Sequence, residues 1–387
     1  MNAGRPAQPP QVAVLFNRTL QLVKGEPRDI LAEQGVVRCA EAVAEALTRG
    51  GCQVVLVPIT LDVETALAPY PPTEWTVFNL GEGLDGRLFE EVRIAWALEA
   101  MGYRFTGSDA RALALSTHKA LCKATLQEAG VATPPWWVFR ALEEVQNLGE
   151  DLPFPLIVKP VAEDASLGID ERAVVHDRPA LERRVAYVVE RYRQAALAEQ
   201  FIAGREFNLS VWGDPPELLP LAEVDFHDFG DRFARLVSFE AKWDPASFAY
   251  QHTPVRCPAE VSPRLATRLR ETTLTTWHAV GCRGYARVDI RVDEAEVPYV
   301  IEVNCNPDLS PDAGFFRAAS AAGYDYVAMV LRIAQLAMGA SDVYAYDSSG
   351  QRRRRRATAE HRPQGRGLHS DGMGLRAGVM GSLPAER

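Results

Sequence analysis

Tyr285-Ala-Arg-Val-Asp-Ile-Arg-Val292, followed after an acidic turn by Tyr299-Val-Ile-Glu-Val-Asn304, is the stretch on which the reading of this sequence turns. On an extended chain alternate residues share a face. Arg287 and Asp289 therefore point one way while Val288 and Ile290 enter the core, and Glu302 and Asn304 share a face of the second strand. Side by side, the strands bring two carboxylates, an amide oxygen and a guanidinium to one spot. Hard oxygen donors in that number suit Mg²⁺ (or Mn²⁺) bridging nucleotide phosphates, and an arginine suits developing phosphate charge. A solvated ion-paired face on an edge hairpin has the same pattern, so the rest of the chain must decide.

Two other segments bear on the choice. Pro155-Leu-Ile-Val-Lys-Pro160 is a short apolar strand that ends on Lys159 and leads into Glu163-Asp-Ala-Ser-Leu-Gly168. A lysine beside a small loop containing Ser166 and Gly168 can hold phosphate oxygens with its ammonium and with backbone N–H groups, although a surface lysine before an ordinary turn reads the same way. The loop is not a Walker A sequence, which excludes a P-loop NTPase. Glu199-Gln200-Phe201-Ile202 is a strand edge carrying an acid that can accept from adenine's amino group or a ribose hydroxyl, with Phe201 and Ile202 flanking the ring.

The whole chain has 387 residues, 47% hydrophobic and 24% charged, which suits two or three globular domains. Nothing in it approaches the roughly 18–20 consecutive apolar residues of a membrane span, and the polar, Pro-rich start predicts no secretory signal. The net charge of −9 conceals an acidic body: residues 351–387 hold nine Arg and three acids, leaving 33 basic against 48 acidic residues elsewhere. Such a body does not suit a nucleic-acid binder. Six cysteines without C-x-x-C pairing fit a reducing cytoplasm rather than a zinc site or disulfide scaffold. Cys305 reads as packing, and the seven histidines show no metal spacing.

Strand–helix–strand alternation (Val12 to Phe16, a helix through Val36, Ala40, Val43 and Leu47 stopped at Gly50-Gly51, then Val54 to Val57 and Thr76 to Leu80) predicts an open parallel α/β domain over 10–105. A helix over Ser116–Ala129 follows, then a strand running from Leu197 towards Val211 and a Ser262-Pro263 helix start. The expected partition is 10–105, a central α+β unit over 106–210, a C-terminal α+β unit over 211–342, and a disordered Arg/Gly-rich tail over 348–387, whose five-Arg run (352–356) reads as solvated.

Lys119, Lys159, Glu199 to Ile202, Glu206, Lys242, Asp289, Glu302 and Asn304 come in the order of sites in the ATP-grasp ligases, and the sequence resembles D-alanine–D-alanine ligase most. Local likeness is carried by Tyr103-Arg-Phe-Thr-Gly-Ser108, Gly130-Val-Ala-Thr-Pro-Pro135, Gly204-Arg-Glu-Phe207, Phe239-Glu-Ala-Lys242 and Gly281-Cys-Arg-Gly-Tyr-Ala-Arg-Val-Asp289. The resemblance implies an α/β (α+β) ATP-grasp fold with ATP between the central and C-terminal units. It implies phosphates on Lys119 and Lys159, adenine on Glu199 and Ile202, ribose on Glu206, and the γ-phosphate on Lys242. Mg²⁺ would lie on Asp289, Glu302 and Asn304, with Arg287 stabilising the tetrahedral intermediate. Small-molecule carboxylate and amine substrates and a homodimer are implied too.

The amino-acid half departs from that family. Its Gly-rich loop after the first strand is replaced by Asn17-Arg18 and a longer polar insertion up to Gly35. The family's substrate-ammonium Glu has no counterpart in register, although Glu33 sits one residue away; its partner Ser aligns with Ala165 and its Tyr with Trp243. Asp308 stands for Gly, Ala313 for a carboxylate-binding Ser, and Glu82, in Asn79-Leu-Gly-Glu-Gly83, for a missing histidine. A pocket that loses its hydrogen-bonding groups loses its discrimination, so a different substrate pair is expected, the alternatives being a true D-alanine–D-alanine ligase and a nucleotide-binding protein without turnover. Glu33, Glu82 and Asp308 are candidates for an ammonium, and Trp243 for packing a larger side chain.

Overall fold

A computed structural model describes residues 9–18, 22, 24–60, 62–83, 90–149, 152–230 and 234–339, and two short strands beyond them. The first strand, β1 (Gln11–Asn17), is buried on both faces after its first residue, as the middle of a parallel sheet requires. Helix α1 (Ile30–Arg49) follows, then β2 (Gln53–Ile59), α2 (Val63–Leu67), β3 (Trp75–Leu80), α3 (Glu90–Ala100) and β4 (Arg104–Phe105). The four strands form a parallel sheet in the order β2-β1-β3-β4, with Val14 between Leu56 and Phe78. The apolar stripe of α1 (Val36, Ala40, Val43, Leu47) is buried and Gly50 ends it, as expected. The helix nevertheless begins at Ile30, so the last part of the polar insertion is helical.

The helix expected over Ser116–Ala129 is two. α4 (Ala110–Thr117) stops and α5 (Lys119–Glu128) starts at His118, whose Nδ1 accepts from Leu121 N at 3.3 Å. His118 is thus the N-cap of α5. β5 (Trp136–Phe139), α6 (Leu142–Gln146), β6 (Leu156–Pro160), β7 (Val174–Val175), α7 (Arg178–Tyr192) and β8 (Ala196–Gln200) build a small antiparallel sheet ordered β5-β8-β6-β7.

The strand expected to run from Leu197 towards Val211 is also divided. β8 ends at Gln200, and β9 (Arg205–Trp212) joins another sheet. That sheet takes in β10 (Glu217–Leu218) and β11 (Ala222–Val224), then, past α8 (Phe239–Trp243) and α9 (Phe248–Gln251), β12 (Val255–Arg256). Past α10 (Pro263–Val280), capped by Ser262 Oγ accepting from Leu265 N, come β13 (Tyr285–Val292) and β14 (Pro298–Asn304). The order is β12-β11-β9-β13-β14, antiparallel throughout, with β10 on β9. Val288 and Ile290 are fully buried in one cluster with Leu265, Leu269 and Trp277 of α10, which leaves the opposite face of β13 for polar side chains. α11 (Gly314–Ala321) and α12 (Tyr326–Met338) complete the described body.

The insertion between β1 and α1 is a strap. Lys24 pairs with Glu163, and Glu26 accepts from Arg191 Nε and NH2, both at 2.9 Å, and from Tyr187 OH at 3.2 Å. Asp29 accepts from Tyr192 OH at 3.2 Å, while Arg28 pairs with Glu240 and lies over the Phe239 ring, 4.8 Å from its centroid. The parallel sheet is therefore laced to α7, to the 163–168 loop and to α8. The expected disordered tail, 348–387, lies outside the described residues except for the strand Arg352–Arg353, which pairs antiparallel with Ala345–Tyr346.

Gly204 is where the chain passes between the two antiparallel sheets. A Cβ there would stand 1.7 Å from the carbonyl oxygen of Val292, a backbone atom that cannot swing aside. Gly204→Ala is expected to destabilise the fold by roughly 1–3 kcal/mol or more, as overpacking does, and urea denaturation of the variant measures it.

Candidate nucleotide and metal site

The site is set by strand register. Antiparallel pairing places Asn208, Asp289 and Glu302 in one row across β9, β13 and β14, and Ser210, Arg287 and Asn304 in the next. Alternation puts all of them on the face away from α10. Within this face Arg287 grips Asp289 with two parallel hydrogen bonds (Nε–Oδ1 2.8 Å, NH2–Oδ2 2.9 Å), and Asn208 Nδ2 donates to Asp289 Oδ1 at 2.9 Å. Burial opposes the Arg287 charge, but Asp289 holds the guanidinium above its ordinary value. The register slips by one between Asp289 and Ile290, a bulge beside the densest charge.

Helix α5 supplies the cation for this row. Lys119, 4% exposed, lies 2.6 Å from Glu302 Oε1 and 3.2 Å from Asp164 Oδ1, and donates to Glu163 O at 2.5 Å. Burial works against the ammonium, yet Glu302 and Asp164 raise it above its usual range. Burial likewise opposes the Glu302 charge, and Lys119, then Lys159, hold that carboxyl far below its ordinary value. Asp164 goes the other way, raised by burial despite Lys119.

Glu199 is clamped by two lysines, Lys159 at 2.6 Å from Oε1 and Lys123 at 2.6 Å from Oε2, and all three are almost fully buried. Burial opposes its charge, and Lys123 and Lys159 together lower it below the usual carboxylate value. Lys123 itself is drawn down by burial. Beyond it Gln200 N donates to Pro135 O and Phe201 N to Pro155 O, both 2.9 Å, while Ile202 O accepts from Arg291 NH1 at 3.0 Å.

Glu206 differs from its expected setting. Its carboxylate does not stand open for a ribose: it is 6% exposed and paired with Arg291 NH2 at 2.9 Å, and burial raises it even so. Arg291 also donates to the carbonyls of Gly204 and Arg235, and its guanidinium lies 5.0 Å from the Phe201 ring centroid. Neither Arg291 nor Lys123 was singled out from sequence.

The 163–168 loop meets α8. Ala165 and Ser166 both have positive φ (55° and 60°), as does Gly168 (72°). Leu167 N and Ile169 N close turns inside the loop, and Ser166 Oγ donates to Val237 O at 2.9 Å. The Leu167 and Ile169 N–H groups and the Ser166 hydroxyl are thus engaged within the protein. Trp243 Nε1 donates to Ala165 O at 3.1 Å, and its ring edge lies 3.3 Å from where a Cβ on Gly35 would stand. The indole therefore packs on α1 and the loop while remaining partly exposed. Lys242, next to it, is lowered by burial and by Arg287 and feels Glu302, Asp289 and Asp164.

The remaining pocket residues sit at the ends of β1, β3 and β14. Glu82, exposed, donates its N–H to Asn17 Oδ1 at 3.0 Å, and Asn306 bridges Tyr285 OH (2.9 Å) and Gly81 O (3.2 Å). Asp308, exposed, accepts from Ser310 N (2.8 Å) and Oγ (2.6 Å), and its charge reaches Arg287. The Glu33 side chain lies outside the described residues.

The D-ala D-ala ligase C-terminus family matches residues 125–335. The chain belongs to the D-alanine–D-alanine ligase family. It is an ATP-dependent, C–N bond-forming ligase with the ATP-grasp fold. An uncharacterized protein, y4sG, of Sinorhizobium fredii is 34% identical over 307 residues, 78% of this chain and 87% of that one. A D-alanine–D-alanine ligase of Nitrosomonas europaea is 33% identical over 254 residues, 65% of this chain and 77% of the ligase. The crystal structure of D-alanine–D-alanine ligase from Bacillus anthracis complexed with ATP superposes with a TM-score of 0.65 at 22% identity, over 85% of this chain and 97% of that one.

The donor chemistry of the ligase fits a hard divalent cation. Asp289 and Glu302 face each other across the register and Asn304 is two residues along the same face. Among the described residues no three His, Cys, Asp or Glu groups form a metal cluster, so an amide oxygen is the third protein donor available. Asn304 Oδ1 is oriented by accepting from Asn306 N at 3.0 Å.

Glu302, held below its unfolded value of about 4.3, contributes stability that is present above that pH and fades as pH falls towards the lowered native value. Lys119→Met removes the main cation responsible and leaves a buried carboxylate with less compensation. Urea denaturation is expected to show a loss of about 3–5 kcal/mol at pH 7. The gap to the wild type narrows at pH 4, because protonation relieves the variant and penalises the wild type.

Proposed function

We propose that the ligase joins a carboxylate to an amine through an acyl phosphate, and that its substrate pair is not two D-alanines. The observation that carries the first part is the Asn208–Asp289–Glu302 row with Lys119 locked onto Glu302, which concentrates oxygen donors and cations on one buried face. The ATP-bound relative supports a nucleotide beside that face.

In this reading Lys119, Lys159 and Lys242 hold nucleotide phosphates. Gln200, Phe201 and Ile202, with Glu199, line the purine. Asp289, Glu302 and Asn304 would hold Mg²⁺, which when bound would neutralise phosphate charge. The substrate carboxylate attacks the γ-phosphorus, the bond to the bridging oxygen breaks and ADP leaves. The amine then attacks the acyl carbon and inorganic phosphate departs. Arg287, fixed by Asp289, stabilises the oxyanion of that second step, and such catalysis is positioning plus electrostatics. Glu206 serves here by anchoring Arg291 under the 201–204 turn, and reaches a ribose only by sharing that carboxylate.

The second part rests on the contact between Trp243 and Ala165. These positions align with a Tyr and a Ser that serve the family's substrate ammonium, and here they meet through an indole N–H and a backbone carbonyl. Among the described residues, exposed Glu82 and Asp308, around Asn306, are polar groups that suit a substrate ammonium.

Two measurements test these parts. Phosphate release from MgATP against a panel of amino acids, with products weighed by mass spectrometry, is expected to show turnover with an amino acid other than D-alanine; a D-alanyl-D-alanine product would overturn the substrate reading. Arg287→Met is expected to lower kcat by about 10²–10³-fold, the usual loss of one oxyanion donor.

A further inference from the structure

Lys123 has no role in the reading above, yet it is among the most buried charges in the chain, 2% exposed. It stands one helical turn beyond Lys119 on α5, so the two ammonium groups leave the same face of the helix. Lys119 goes to Glu302, and Lys123 goes to Glu199. Glu199 is shared, since its other oxygen is 2.6 Å from Lys159. A carboxylate with one lysine is a closed neutral pair, but with two it leaves one positive charge over. That surplus is felt by Glu302, whose carboxyl Lys159 helps to hold down.

We propose that Lys123 is a positioning residue for nucleotide binding. By compensating Glu199 from behind it leaves the charge of Lys159 free for the nucleotide phosphates. Without Lys123, Glu199 would draw Lys159 into a neutral pair and the phosphates would lose most of that cation. The inference rests on the placing of Lys159 at the phosphates.

The experiment is calorimetric binding of MgATP to the full chain, with adenosine measured by displacement, for the wild type, Lys123→Met, Lys123→Gln, Glu199→Gln, Lys123→Met/Glu199→Gln and Lys159→Met. Lys123→Met is expected to weaken MgATP about tenfold and to leave adenosine unchanged, because adenosine has no phosphate. Lys123→Gln leaves a polar, uncharged side chain at this position, one bond shorter than the lysine. It is expected to lose as much, and stands in if the methionine variant does not fold. In the double variant the loss disappears relative to Glu199→Gln alone, because no carboxylate then competes for Lys159.

Equal loss of MgATP and adenosine, or full binding by Lys123→Gln, would reduce Lys123 to a packing role and overturn the inference. So would a double variant weaker than Glu199→Gln, which would mean direct contact with phosphate. If Lys159→Met binds MgATP as the wild type does, the placing of Lys159 fails and the inference falls with it. If Lys159→Met weakens MgATP while the Lys123 variants do not, the inference alone fails.

Discussion

The ion pair between Lys119 and Glu302 is the contact on which the rest of the site depends. It joins a helix to the last strand of the large sheet, and the same ammonium takes the carbonyl of Glu163 and the carboxylate of Asp164 from the loop beside the small sheet. Three pieces of chain far apart in sequence are thereby fixed to one nitrogen. Withdrawing such charges from water costs several kcal/mol per ion, and an apolar pair of similar volume is often as stable. A fold needs no such arrangement to cohere. A site that must meet a polyanion and a divalent cation does, because its charges have to be in place beforehand.

The same economy runs through the face around it. Nearly every charged group there is shared: Asp289 between Arg287 and Asn208, Glu199 between Lys123 and Lys159, Arg291 between Glu206 and three carbonyls. Sharing satisfies buried polar groups while leaving lone pairs or charge over for a ligand. The opposing carboxylates and lysines also move one another's proton affinities in opposite directions, as sites built for phosphate chemistry do.

Much of this was legible in the sequence, and for a simple reason. A period of two along 285–292 and 299–304 separates core from site without any tertiary information, so Arg287, Asp289, Glu302 and Asn304 could be found by inspection. The same period carries Arg291, two residues past Asp289, and helical spacing carries Lys123, four past Lys119; both signals were present and unused. Other features could not be read. His118 ends one helix and caps the next through a ring nitrogen, a weak local signal. The division at 201–204 depends on Gly204 passing under the Val292 carbonyl, and the pairing of Glu206 with Arg291 on two strands meeting in one register. The contacts of Trp243 could not be read because its partners, Gly35 and Ala165, lie 208 and 78 residues away in sequence.

The strap over 24–29 touches α7, the 163–168 loop and α8, and among the described residues its polar partners include no strand of the large sheet. It is an excursion between one strand and the next helix, the kind of segment that accepts insertions while the framework stays as it is. The strap and the strands that carry Asp289 and Glu302 are thus separate pieces of chain. A lineage can lengthen or recharge the first without disturbing the register of the second.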